Sequence, residues 1–405
     1  MDKKVKVTGL FGAVLLCGAV RAETVSYTSG TYEIDGSTYG PEVTQVAFSQ
    51  ADGACSVKFG PGTYEPAIRI AHDTGWSGTK TMAAICSGSG QIVFANKFTI
   101  TDACWNLPLH IDSGASVVFE GGISAPYTWD YYAYLLLYGS GCSVTIRDTP
   151  INVQTGRGVF FNSWGRSTVT LAVANNKIKN MLQLSGPVTL KTICDYALST
   201  NTYRTPLAFV KVDGNDGATL DLCGHDQAVG RIDTNGKYAG SPSVTGRIRS
   251  DTPATLHVCQ TGGDAVTTFP LPFEGGAGLC KSGGDELSLA GVSTTTGRLE
   301  VAEGVLSFSG DGCWSQAQDI AVSGGVLKVD GSQRLARILE TITHSSGKLD
   351  LAQGVVVRVR KCYVNEAGRP LSLAAGTYTA ARLPAVLSGA GEMHVLGDGT
   401  MLCIR

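Results

Sequence analysis

Residues 277–310 read AGLCKSGGDELSLAGVSTTTGRLEVAEGVLSFSG. Apolar and polar residues alternate at Leu287 and Leu289, at Leu299 and Val301, and at Leu306 and Phe308. A period of two places one set of side chains on a single face of a strand. Glycines at 283, 284, 291, 297, 304 and 310 punctuate the runs and supply turns that other residues resist. Short strands separated by such turns cannot bury their apolar faces singly, so they predict a stack of coils, a β-solenoid. Spacing supports this: Leu306, Leu327 and Leu349 recur at intervals close to one coil of roughly twenty residues. Leu299-x-Val301 and Leu349-x-Leu351 repeat at an offset that fits two coils. The fold class expected is all-β: a right-handed parallel β-helix with an irregular N-terminal part.

The same grammar extends both ways. Alternating runs recur at Val117–Phe119, Val144–Ile146, Val169–Val173, Val188–Leu190, Leu220–Leu222, Leu256–Val258 and Leu327–Val329. The chain of 405 residues holds 52 glycines, well above the usual share of about 7%. Hydrophobic residues make up 43% and charged ones 16%, which excludes a disordered chain. The formal net charge of −2, without a basic stripe, excludes a nucleic-acid partner. After the N-terminal run, the nearest approach to a helical pattern is QRLARILETI at 333–342. There Leu335, Ile338, Leu339 and Ile342 suit a short helix or a capped turn, with Ser332 as the cap.

The N-terminus has the layout of an export signal. Lys3, Lys4 and Lys6 precede an apolar run from Thr8 to Val20, and the small residues Val20 and Ala22 predict cleavage after Ala22. The run is shorter than the ~20 residues that span a bilayer, so the mature chain is expected to lack a transmembrane segment and to be secreted or held at the cell surface. Leu16 before Cys17 departs from a lipoprotein signal. The organisation expected is a signal at 1–22, irregular β-rich coils at 23–200, a regular β-helix at 201–375 and closing strands at 376–405. Eleven cysteines follow Cys17, none closer to another than 18 positions, so no local zinc pair exists and no metal or other cofactor is implied. They suit either buried free thiols or disulfides between coils, Cys259 and Cys280 being one coil apart.

The stretch 277–310 resembles the autotransporter-associated β-strand repeat of bacterial surface proteins. That pattern opens on Gly-Leu-x-Lys-x-Gly, continues with a Leu-x-Leu strand and a Thr/Gly-rich turn, and closes on a second Gly-x-Leu strand. ATLDLCGHDQAVGRI at 218–232 is similar to the Leu-x-Leu-x-Gly-x-Asp-Gln opening of the same proteins. Leu220, Leu222, Gly224, Asp226, Gln227, Val229 and Gly230 match it, and Cys223 stands where Asn is frequent. RSDTPATLHV at 249–258 and LAAGTYTAARLPAVLSGAGEMHVLG at 373–397 resemble later segments. The likeness covers roughly residues 205–400 and implies a passenger-type scaffold. No series of amphipathic strands of the sort that forms a membrane barrel is read before Arg405, so self-export is not expected.

Two sets of residues invite functional readings. Asn215-Asp216, Gly224-His225-Asp226 and Arg247-Ile248-Arg249 echo the carboxylate, His and Arg set of β-helix polysaccharide hydrolases, with Asp216, His225 and Arg247 as candidate catalytic residues. Inverting hydrolysis needs two carboxyl groups about 6.5–9.5 Å apart, and the expected Asp pair is missing. Asp213, Asp216, Asp221 and Asp226 with Arg231 raise a lyase possibility, yet their spacing is that of turns rather than of a calcium loop. Tyr127, Trp129 and Tyr131, within PYTWDYYAYLLLYG, would share one strand face and form a platform for sugar rings; the same cluster suits an aromatic edge cover. Trp164 lies in a second glycine-flanked loop. The function expected is a secreted or surface-exposed β-solenoid with a structural, adhesive or glycan-contacting role and no catalysis. Its partners would be extracellular polysaccharide or host and cell-surface components. A polysaccharide hydrolase or lyase is the alternative.

Overall fold

The computed structural model describes residues 22–49, 55–71, 82–101, 108–127, 132–137, 139–153, 158–179, 181–198, 206–210, 217–234, 245–261, 266–309, 319–330, 339–344, 346–366 and 369–397. Residues 1–21, and with them the signal reading, lie outside this set. Among the described residues every regular element is a strand, and neighbouring strands stack in parallel as a β-solenoid. No helix there is long and apolar enough to cross a membrane.

The chain forms two compact units, residues 1–197 with 212–218, and residues 198–211 with 219–405. In the first, each coil contributes strands to three parallel sheets. Its steps are long and uneven: Val46 pairs with Ile68, Ile68 with Phe98 and Phe98 with Ile123, intervals of 22, 30 and 25 residues. Pairing continues from coil to coil despite the uneven steps, with a register shift between Ser124 and Tyr127. The interior is an aromatic stack. Phe94 is fully buried, with its ring 5.1 Å from Phe59, 4.9 Å from Phe98 and 5.2 Å from Phe119, centroid to centroid. Each such ring contributes about 1.5–3 kcal/mol by leaving water.

The second unit is more uniform. Leu287, Leu306, Leu327 and Leu349 occupy one interior row, at steps of 19, 21 and 22 residues, as the sequence spacing predicts. A second row runs Leu279, Leu299 and Ile320, and the backbone of Ile342 is next in register. Leu299 and Leu349 therefore belong to different sheets, which corrects the two-coil offset inferred between them. Each coil carries more than one alternating strand, and a repeat distance alone does not say which strand recurs.

The short helix or capped turn expected at 333–342 is corrected over its second half. Leu339–His344 is a strand, paired in parallel with Asp319–Val322 on one side and Val356–Glu366 on the other. Two ladders of backbone hydrogen bonds outweigh a short helical period. Ser332 and residues 333–338 fall outside the described set. Near the end the pairing changes character. Arg369–Ser372 runs antiparallel to Val356–Glu366, and Gly376–Tyr378 antiparallel to Glu392–Val395.

The eight described cysteines form no disulfide with one another. Cys280 stands opposite His257 and Cys259 opposite Ser282, so the suggested Cys259–Cys280 pair is out of register. Burial pushes the thiols up, to about 11 at Cys55 and Cys280 and about 12 at Cys362. A raised value keeps the neutral thiol, which is a poor nucleophile. At pH 8 Cys55 and Cys280 should react with iodoacetamide on the order of a hundredfold more slowly than an unperturbed thiol near 8.5, Cys362 on the order of a thousandfold, and all three at the ordinary rate in urea. Peptide mapping of labelled protein checks this; fast native labelling at Cys362 would contradict the buried placement.

Candidate functional site

The residues of the 277–310 pattern that look chemically useful are bound into the scaffold. Lys281 sits in the interior row between Val258 and Val301 and is fully buried. Its ammonium donates to the carbonyl of Glu303, one coil away, at 2.9 Å, and to that of Gly283 at 2.5 Å. The Glu303 carboxylate accepts the Gly283 N–H at 3.1 Å. Burial lowers the ammonium's pKa, opposed chiefly by the charge of Glu303. Gly304, at φ +68°, leaves the space: a Cβ there would meet the Gly283 oxygen at 2.2 Å and the Lys281 nitrogen at 2.4 Å. The Thr-rich turn works the same way. Thr295 Oγ1 donates to the Ala277 carbonyl at 2.6 Å and accepts the Gly297 N–H at 2.9 Å, while Ser293 Oγ accepts the Phe273 N–H at 3.1 Å.

The Asp-Gln opening is also structural. Asp226 accepts the Thr255 N–H at 2.7 Å, and buried Gln227 accepts the Leu198 N–H at 3.0 Å. Buried Asp221 accepts two bonds from Arg249, at 2.8 and 3.0 Å, and one from the Cys223 N–H at 3.1 Å. The arginine, held by this carboxylate, has its pKa raised. Such a charge-assisted pair fixes two adjacent coils.

Two of the three candidate catalytic residues are described. Asp216 lies outside the described residues. His225 is partly buried in the turn after Asp221, its N–H donating to the Leu222 carbonyl at 2.9 Å and its own carbonyl accepting from Gln227 at 3.4 Å. Arg247 is exposed and lies 3.5 Å from Glu274 on the neighbouring strand. No group of three or more His, Cys, Asp or Glu side chains gathers among the described residues. Of the aromatic candidates, Tyr127 ends the strand Ile123–Tyr127, and Trp129 and Tyr131 lie outside the described set.

A different face gathers polar side chains that the sequence did not single out. In the first unit Pro108–Ile111, Tyr132–Leu137, Gly158–Ser163 and Leu182–Ser185 pair in parallel, one per coil. Val159, Phe161, Leu182 and Leu184 form the interior rows. Alternation therefore turns Phe160, Asn162, Gln183 and Ser185 to the opposite side. Phe160 is opposite Gln183 and Asn162 opposite Ser185. Trp164 takes the next rung, its N–H donating to the Leu137 carbonyl at 3.1 Å, and its side chain is 55% exposed. His110 stands two coils away in the Asn162 row, half-buried, and desolvation lowers its pKa. Sequence patterning missed this face because FFNS and LQLS are buried on both sides, which erases the inside–outside contrast.

No family model, curated protein or solved structure matches this chain.

Proposed function

We propose that the chain is an exported, surface-exposed β-solenoid that serves as a structural and adhesive scaffold and contacts extracellular glycans, without catalysis. The observation that carries this is the employment of the patterned polar residues. Lys281, Thr295, Asp226 and Gln227, which give the sequence its likeness to passenger-type surface proteins, all spend their polar atoms on bonds between or within coils. Residues used this way build length and rigidity, and leave the outward faces of the sheets for contact.

Export is tested by expressing the chain with residues 1–22 intact in a bacterial host. The expected product begins at Glu23 and is recovered outside the cytoplasm; an uncleaved cytosolic product overturns the proposal. Catalysis is tested on a panel of plant, algal and mucin polysaccharides, with release of reducing ends or unsaturated products as the readout. No turnover is expected. Turnover abolished by Asp216→Ala, His225→Ala or Arg247→Ala would establish the enzyme instead.

A further inference from the structure

We propose that the free edge of Glu23–Tyr27 is a dimer interface, which pairs antiparallel with the same strand of a second copy about a twofold axis at Val25. The interface rests on the cleavage after Ala22 proposed above, which makes Glu23 the first residue of the mature chain.

In the first unit Glu23–Tyr27 heads its sheet, with Val43–Phe48 on one side and no strand on the other among the described residues. The Tyr27 carbonyl accepts from the Ser49 N–H at 2.8 Å, on the Val43–Phe48 side. Alternation along the strand then turns the N–H and C=O groups of Thr24 and Ser26 to the free edge. Such a row takes up another strand unless something guards it. The second unit carries guards: its last strands run antiparallel, and Arg369 and Pro370 are exposed in Arg369–Ser372. Glu23–Tyr27 reads ETVSY, with β-branched and aromatic residues and no Pro, Lys or Arg. Gly30–Ile34 also heads a sheet, but Gly30 lies at φ +105° and Glu33 holds Lys58 at 3.5 Å, which puts charge on that edge.

The strand is self-complementary about Val25, which selects a second copy as the occupant. An antiparallel pair centred there sets Thr24 opposite Ser26 of the second copy, and Ser26 opposite its Thr24. These are the residues whose backbone groups face the edge, so both become hydrogen-bonded rungs. Val25 faces Val25 between them, on the closer rung that carries no hydrogen bond. Glu23 falls opposite Tyr27, so the two carboxylates lie at opposite ends of the pair. The side chains agree with this register. Val25 and Tyr27 are half-buried on the interior side, and the Tyr27 ring stacks 5.1 Å from that of Phe48, which is fully buried one coil further in. A second copy covers the first two and gives the end coil the neighbour that every inner coil has. Thr24 and Ser26 are exposed on the outer side, where hydroxyls on directly opposite residues pair favourably. The twofold uses up this edge in both copies, so the assembly closes at two. One strand from each copy is a small contact, so the dimer is a weak one, in the micromolar range.

The test uses the chain from Glu23 to Arg405 in sedimentation equilibrium, at concentrations from below to above the micromolar range. The expected result is a monomer–dimer equilibrium. Ser26→Pro removes an edge N–H that the fold itself does not use, and Ser26→Lys adds a charge to the edge of each copy. Each should weaken association at least about tenfold while circular dichroism and the urea midpoint stay unchanged. The exposed lysine variant keeps the test valid if the proline disturbs folding. Val25→Cys should oxidise to a disulfide between the two copies, because its rung brings the Cα atoms to about 4.5 Å, within the range that a disulfide accepts. Mass mapping should place that bond between the two copies of position 25, and Thr31→Cys, on Gly30–Ile34, should form none. A chain that stays monomeric throughout overturns the interface. So does a dimer that keeps its affinity in the folded Ser26 variants and forms no bond through Val25→Cys. Because the protein is made from Glu23 onward, the outcome is separate from export: an uncleaved product in the host overturns the cleavage, and a monomer here overturns the interface.

Discussion

Lys281→Met is expected to destabilise the second unit by about 2–5 kcal/mol, read as a fall in the urea midpoint followed by circular dichroism. Methionine keeps most of the volume and the apolar stem, so packing changes little. What disappears is the donor. The carbonyls of Gly283 and Glu303 belong to the backbone and stay where they are, and each buried acceptor left alone costs about 1–3 kcal/mol. This differs from swapping a whole buried ion pair for hydrophobic residues, where both partners leave and the change is often neutral. Lys328→Met is the comparison: its ammonium bonds Glu286 at 3.1 Å from a side chain 43% exposed, and its loss should cost under about 1 kcal/mol. Equal effects from the two substitutions would contradict the buried role of Lys281. The pH dependence has a definite sign. Burial places the folded-state pKa of Lys281 below its unfolded value, so between the two the unfolded chain binds more protons. Stability should rise with pH through the window just below the ordinary lysine value of about 10.4, and Lys281→Met should flatten that slope.

Phe94→Ala should cost the first unit about 3–5 kcal/mol, the range for emptying a buried aromatic position. Phe94 touches four rings, Phe59, Tyr64, Phe98 and Phe119, with centroids 4.9–5.4 Å away, and it joins three successive coils through the strands Gly62–Tyr64, Gln91–Phe94 and Ser116–Phe119. No single neighbour can fill the void without leaving its own row. In a stacked fold each coil answers chiefly to its neighbours, so the damage should be local. Hydrogen exchange should show lost protection in those three strands, with the strands Glu286–Leu289 to Lys348–Leu351 unchanged. Protection lost evenly along the whole chain would mean a single cooperative globule rather than a stack.

The second unit was the legible part of the sequence. Leu306, Leu327 and Leu349 announce their own pairing because each coil there has nearly the same length and a polar outer face. The first unit pairs as faithfully, yet steps of 22, 30 and 25 residues hide the repeat from any search for a fixed period. Ile342 shows a second kind of failure. Leu335, Ile338, Leu339 and Ile342 satisfy a helical period over one short stretch, and only the flanking strands decide that Leu339–His344 is extended. Charged residues pointing inward were also beyond reach. Lys281 belongs to a resembling motif, but its partners are carbonyls brought near by coil stacking, and side-chain patterning carries no record of them. The face at Asn162, Gln183 and Ser185 needed the register itself, since only pairing shows that these side chains line up.

Paired cysteines at Ser307 and Lys328 test the stacking most directly. The two residues lie opposite each other on neighbouring parallel strands, on the outward side, at a separation near 4.8 Å that a disulfide accepts. The account predicts that Ser307→Cys/Lys328→Cys oxidises to an intramolecular bond, identified by mass mapping, whereas Ser307→Cys/Asp350→Cys, two coils or about 10 Å apart, does not. A bond in the second variant and none in the first would contradict the parallel coil register on which the fold of the second unit and its buried lysine depend.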